Sequence, residues 1–92
     1  MTSHDLVLNI AVNLGRLGRW SHEGKYARIP QFLADTQKYL DRLHNFNPQF
    51  NPTYQRFLKD YARLQSTPPN NQDWCDTAFT WAAILTHRAQ LA

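Results

Sequence analysis

A chain of 92 residues can bury one modest core, but it is too short for two domains or for a Rossmann-type or barrel enzyme. With 42% hydrophobic and 13% aromatic residues the chain is too apolar to be disordered, and its three glycines are too few for a turn-dense β protein. The formal net charge is +3, which leaves a nucleic acid or an acidic protein surface as candidate partners.

The first predicted helix spans about residues 4–20, where leucines and other apolar residues recur on one broad arc. Gly15 and Gly18 border that arc. Because glycine has no side chain, these two positions would let a neighbouring helix approach closely, at a cost in helix propensity. The connection that follows, residues 21–28, contains little apolar material.

Three more helices are predicted from hydrophobic periodicity and from proline and asparagine punctuation. They span about 30–46, 52–65 and 71–90, and Asn51 is expected to cap the third helix. Short connections between helices favour antiparallel neighbours. The predicted fold class is therefore all-α, a single-domain four-helix bundle with up-down antiparallel topology.

The excess positive charge lies in one segment. Residues 16–28 carry four cationic side chains against Glu23 alone, whereas the rest of the chain has six basic and six acidic residues. If the first helix ends near Trp20, the later cations lie on a loop, which is a usual arrangement for binding phosphates. The candidate phosphate-binding residues are Arg16, Arg19, Lys25 and Arg28.

A second basic set lies on the third helix. Arg56, Lys59 and Arg63 fall within about 60° of one another, nearly opposite the apolar face. Asp60 can pair with Arg56 or Arg63 and lower the local field. The set either extends the phosphate-binding surface or is simply a solvated helix face, and the second interpretation is the commoner one.

Two further candidates share a face of the first helix with Arg16. The amide of Asn13 can hydrogen-bond phosphate or base edges, and the ring of Trp20 can stack on an unpaired base. In the alternative interpretation the amide is solvated and Trp20 closes the end of the core.

Aromatic residues are more numerous than a small bundle core readily hides. Some of them are therefore candidates for exposure toward a protein partner. In the alternative, Phe46 and Phe50 fold over the ends of the bundle. The candidates are Trp20, Phe46, Phe50, Tyr54 and Trp81.

No pattern of catalytic or metal-binding residues is found in the sequence. The four histidines are far apart, and a lone cysteine, Cys75, is typical of a small buried apolar side chain. We therefore expect no enzymatic activity, no metal and no cofactor. The absence of a membrane span and of a signal peptide predicts a cytoplasmic protein.

Small size, helical character, a local positive excess and the lack of catalytic groups resemble the small helical subunits of CRISPR effector complexes. The resemblance is architectural and covers the whole chain, without a signature motif. It implies a non-enzymatic subunit of a nucleoprotein complex that binds RNA or DNA backbone independently of sequence. Its partners would be the nucleic acid, other protein subunits and further copies side by side. The alternative function is a small adaptor that binds an acidic protein surface and no nucleic acid.

Overall fold

Four α-helices and two short 3-10 turns form the chain in the computed structural model, which describes residues 1–92. The helices are α1 (Ser3–Glu23), α2 (Ile29–Arg42), α3 (Asn51–Ser66) and α4 (Gln72–Arg88), and the turns are Pro48–Phe50 and Ala89–Leu91. The predicted all-α four-helix bundle is confirmed. None of the helices combines the length and the hydrophobicity needed to cross a bilayer.

The end of α1 differs from the prediction. The helix continues past Trp20 to Glu23, and Gly24 then adopts a left-handed conformation with φ of 72°. The N–H of Gly24 donates to the carbonyl oxygens of Trp20 and Ser21, which closes the helix. A left-handed residue is tolerated best as glycine, so Gly24 sets the helix end. The predicted cation-bearing loop is therefore shorter, since it begins only at Lys25.

The second helix also ends at a different residue from the predicted one. α2 stops at Arg42, because Leu43 leaves helical geometry and Asn45 is left-handed, with φ of 61°. Asparagine tolerates this conformation better than most residues. The predicted cap of the third helix is wrong as well: the side chain of Asn47, not that of Asn51, accepts a backbone N–H, and it caps the 3-10 turn before α3.

The helices pack around α1 and α4, which lie against each other over much of their length. α1 and α2 run antiparallel, since Trp20 meets Phe32 while Asn13, earlier in α1, meets Thr36, later in α2. α3 and α4 are antiparallel too. The Phe57 and Trp81 ring centroids lie 5.2 Å apart, whereas Leu64 accepts a hydrogen bond from the Trp74 indole. These two antiparallel pairs agree with the predicted topology.

The two glycines of α1 that were predicted to permit close approach have different surroundings. A Cβ atom on Gly18 would lie 2.9 Å from Cδ1 of Phe79 in α4, so close approach is confirmed there. A Cβ atom on Gly15 would meet no atom within 4 Å. A side chain at position 18 would therefore have to displace the Phe79 ring, whereas position 15 has room for one.

We expect Gly15→Ala to raise the free energy of unfolding by about 0.5–1 kcal/mol, because alanine loses less backbone entropy in a helix. Gly18→Ala should lack this gain, because its new methyl group must displace the Phe79 ring. Urea unfolding of both variants, monitored by circular dichroism, measures the difference. Equal stabilisation by the two substitutions would contradict the close approach of Phe79 to Gly18.

Candidate nucleic-acid interface

A groove of about 450 Å³ lies between α1 and α2. Arg16 of α1 and Lys38 and Arg42 of α2 line it, and Asp35 is the one carboxylate among its walls. None of the three cations forms an ion pair within the chain. Lys38 and Arg42 are four residues apart on α2, so they share a face of that helix. This cavity, which we call the α1–α2 groove, is therefore positively charged. Its single carboxylate, Asp35, can neutralise only one of the three positive charges.

Two aromatic side chains, Phe32 and Tyr39, form the apolar part of the same groove. The guanidinium carbon of Arg16 lies 5.8 Å from the centroid of the Phe32 ring, within the range of a cation–π contact. Trp20 packs on Phe32 edge to face, with ring centroids 4.8 Å apart. These contacts hold Arg16 at the rim of the groove.

A smaller hollow of about 230 Å³ is lined by Trp20, Lys25, Ala27 and Arg28. We call it the Trp20 hollow. Because Trp20 contacts Phe32, the two cavities lie on either side of one aromatic pair. The groove and the hollow together are the α1–α2 seam.

The two cations of the Trp20 hollow are weakly engaged within the chain. Lys25 lies 3.9 Å from a carboxylate oxygen of Glu23, with both side chains substantially exposed. Exposed pairs of this kind contribute little to stability, so Lys25 can exchange Glu23 for another anion at small cost. Arg28 forms no ion pair within the chain.

Arg19 and Asn13 are the two predicted site residues of α1 that do not offer a free side chain to either cavity. Arg19 is exposed, but it lines neither the α1–α2 groove nor the Trp20 hollow. Asn13 is buried at the floor of the groove, where its amide donates to the Thr36 hydroxyl at 3.3 Å. That hydrogen bond links α1 to α2, and it engages the Asn13 amide with a partner inside the protein. We therefore leave Asn13 out of the interface.

Trp20 packs on the core as one interpretation predicts, and its position leaves the stacking role open. Its half-buried ring packs against the core cluster, and it also lines the Trp20 hollow. The ring thus closes this end of the core and keeps an open side toward Lys25 and Arg28.

The basic set of α3 lies elsewhere. Arg56, Lys59 and Arg63 line neither the α1–α2 groove nor the Trp20 hollow. α3 packs against α4 and hydrogen-bonds to α2 at residues that do not line the groove. Arg63 pairs with Asp60 at 3.7 Å, as predicted. The other oxygen of Asp60 accepts a hydrogen bond from the Trp81 indole at 2.7 Å, a contact that sequence analysis missed. These contacts favour the solvated-face interpretation of the α3 set.

Sequence analysis missed Lys38 and Arg42, because it compared the net charge of whole segments of the chain. Asp35 and Asp41 are close to them in sequence and cancel them in such a count. In the structure, Asp41 accepts a hydrogen bond from Gln37 instead of pairing with either cation. Their spacing of four residues on one helix was the available signal, but only the packing of α2 on α1 brings them near Arg16.

The aromatic side chains proposed for a protein partner lie mostly inside. Phe50 and Trp81 are buried, and Phe46 packs edge to face on Phe50 with ring centroids 5.5 Å apart. The expectation that Phe50 and Trp81 are exposed is therefore wrong, since their rings fill the core. The large apolar side chains that are exposed are Met1, Val12, Tyr26 and Phe79.

Cys75 is a buried apolar side chain, as predicted. Its thiol donates to the carbonyl oxygen of Gly18 at 3.3 Å. Burial, followed by the negative charge of Asp76, raises the pKa of the Cys75 thiol. Since the thiolate is the reactive form, this environment disfavours nucleophilic chemistry.

The chain was compared with protein-family models, with curated proteins and with solved structures. None of the three comparisons finds a match. The resemblance to small CRISPR subunits therefore stays a prediction, and the function has to be inferred from the residues of the α1–α2 seam.

Proposed function

We propose that this chain is a non-enzymatic protein that binds the nucleic-acid backbone, independently of sequence, along the α1–α2 seam. The observation that carries this proposal is the α1–α2 groove, in which Arg16, Lys38 and Arg42 surround about 450 Å³ of open space without an ion pair. Assembly with further protein subunits, or with other copies of the chain, belongs to the same proposal.

The charge arrangement favours an extended anion. Like charges gathered in one groove repel one another, and the repulsion is relieved when an anion enters. The Trp20 hollow adds Lys25 and Arg28, so five cations line the seam. A nucleic-acid strand carries regularly spaced phosphates, and basic side chains bind these without reading the bases.

An acidic protein surface is the second candidate. Exposed apolar side chains favour it, since Val12 and Phe79 are 52% and 42% exposed. Apolar side chains of this size contribute to protein interfaces and not to phosphate contacts. In this alternative the chain is an adaptor whose cations steer an acidic partner toward it.

The salt dependence of binding tests the proposal. We expect the wild-type protein to bind a fluorescent strand of about ten nucleotides, which at about 3.4 Å or more per nucleotide is long enough to run along the 36 Å length of the molecule. If five cations each neutralise one phosphate, the logarithm of the affinity falls with the logarithm of salt concentration with a slope of about −3.5. Fluorescence anisotropy at several salt concentrations measures it.

The control ligand is a polyglutamate peptide of the same charge. It presents carboxylates in place of phosphates, and we expect it to bind more weakly than the strand. Binding of polyglutamate as tight as that of the strand would favour the adaptor alternative. Failure of the strand to bind at low salt would contradict the proposal.

A further inference from the structure

We propose that the α1–α2 seam selects single-stranded nucleic acid and takes its unpaired bases against Trp20 and Tyr39. This inference rests on the proposed function and adds the type of strand. It follows from the juxtaposition, in both cavities of the seam, of cationic side chains with an aromatic wall.

Each cavity offers the two kinds of contact that one nucleotide of a single strand needs. In the α1–α2 groove the cations Lys38 and Arg42 lie beside Tyr39, and in the Trp20 hollow Lys25 lies beside Trp20. A single strand presents a phosphate and a base in every nucleotide. The seam presents cations and rings together in each of its two cavities.

Tyr39 keeps one side open to a base. Its half-buried ring packs against the core cluster and also lines the α1–α2 groove, and it takes part in no ring pair within the chain. Phe32 differs, because its ring already has two partners, the Arg16 guanidinium and the Trp20 indole. The ring of Trp20 has Phe32 as its one aromatic partner and lines the Trp20 hollow. We therefore assign stacking to Tyr39 and Trp20, and a supporting role to Phe32.

A duplex cannot use these rings. Its bases are paired and stacked inside, so it would reach the seam with phosphates alone and leave the aromatic walls without contacts. An unpaired base exposes its flat face, and stacking on an aromatic side chain is available to every base. The seam can thus prefer single strands and remain independent of sequence.

Three ligands test this inference: a strand of about ten thymidines, an abasic strand with the same number of phosphates, and a duplex of that length, which carries about twice as many. We expect the thymidine strand to bind the wild-type protein at least about fivefold more tightly than the abasic strand, because stacking of even one base contributes that much. The duplex offers no free base, so it too should bind more weakly than the thymidine strand, despite its greater charge. Anisotropy titrations at one salt concentration give the three affinities.

Tryptophan fluorescence provides a second readout. Trp74 and Trp81 are 3% and 5% exposed, whereas Trp20 is half-buried and lines the Trp20 hollow. A base that stacks on an indole quenches its emission, so quenching by the thymidine strand reports on Trp20. The abasic strand should bind without this quenching.

Tyr39→Leu separates stacking from charge, because leucine keeps an apolar side chain in the groove and removes the ring. We expect this variant to bind the abasic strand as the wild type does and to lose part of the preference for the thymidine strand. Tyr54→Leu is the matched control, since Tyr54 packs on Phe46 and lies outside both cavities. It should keep the full preference.

The possible failures are distinguishable. If the abasic strand or the duplex binds the wild-type protein as tightly as the thymidine strand, selection of single strands is overturned, while backbone binding stands. If none of the three ligands binds, the proposed function fails as well. An equal loss of preference in Tyr39→Leu and Tyr54→Leu would remove Tyr39 from the stacking site.

Discussion

Leu14→Asp should unfold the protein. Leu14 has no exposed surface and lies on the core face of α1. A carboxylate placed there without a partner costs several kcal/mol, a large part of the roughly 5–15 kcal/mol that stabilises a typical domain. Leu40→Asp, at the buried face of α2, should have the same effect. Circular dichroism and thermal unfolding measure the loss of helix and of the cooperative transition.

Val12→Asp is the matched control for this prediction. It introduces the same side chain into the same helix, but Val12 is exposed, so we expect a change in the free energy of unfolding of about 0.5 kcal/mol or less. Native helicity and thermal stability in both Leu14→Asp and Leu40→Asp would show that the core described for α1 and α2 is wrong.

Hydrophobic periodicity predicted the helices and most of the core because burial follows the helical repeat. Leu14, Leu40 and Leu85 recur at core positions of their helices, and all three are buried. Helix ends depend on single residues instead. Gly24 and Asn45 adopt left-handed conformations that stop α1 and α2, and periodicity carries no information on such positions.

The candidate interface could be predicted only in part, since it is formed by two helices. Arg16 and Trp20 were identified from α1 alone, and both line the seam. Lys38 and Arg42 lie on α2, so placing them near Arg16 needed the knowledge that α2 packs against α1. Asn13 lines the groove as well, but the hydrogen bond of its amide to Thr36 of the neighbouring helix could not be predicted from α1 alone.

The combined substitution of Arg16, Lys38 and Arg42 by glutamine should reduce affinity for a single strand by roughly fifty-fold near physiological salt. At that salt concentration each neutralised phosphate contributes roughly fourfold, and three contacts are lost. The three side chains are exposed, so the free energy of unfolding should change little. Fluorescence anisotropy gives the affinity, and thermal unfolding verifies that the variant is folded.

The most direct test of the seam as the binding site compares this variant with a second one, in which Arg56, Lys59 and Arg63 of α3 are replaced by glutamine. Both variants lose three positive charges, so any effect of net charge alone is the same in each. The measurement is the affinity of wild type and of both variants for one strand at one salt concentration. We predict roughly fifty-fold weaker binding for the seam variant. The α3 variant should show only the small loss of affinity that the lower net charge causes in both variants. Equal losses in the two variants, or a greater loss in the α3 variant, would contradict binding along the α1–α2 seam.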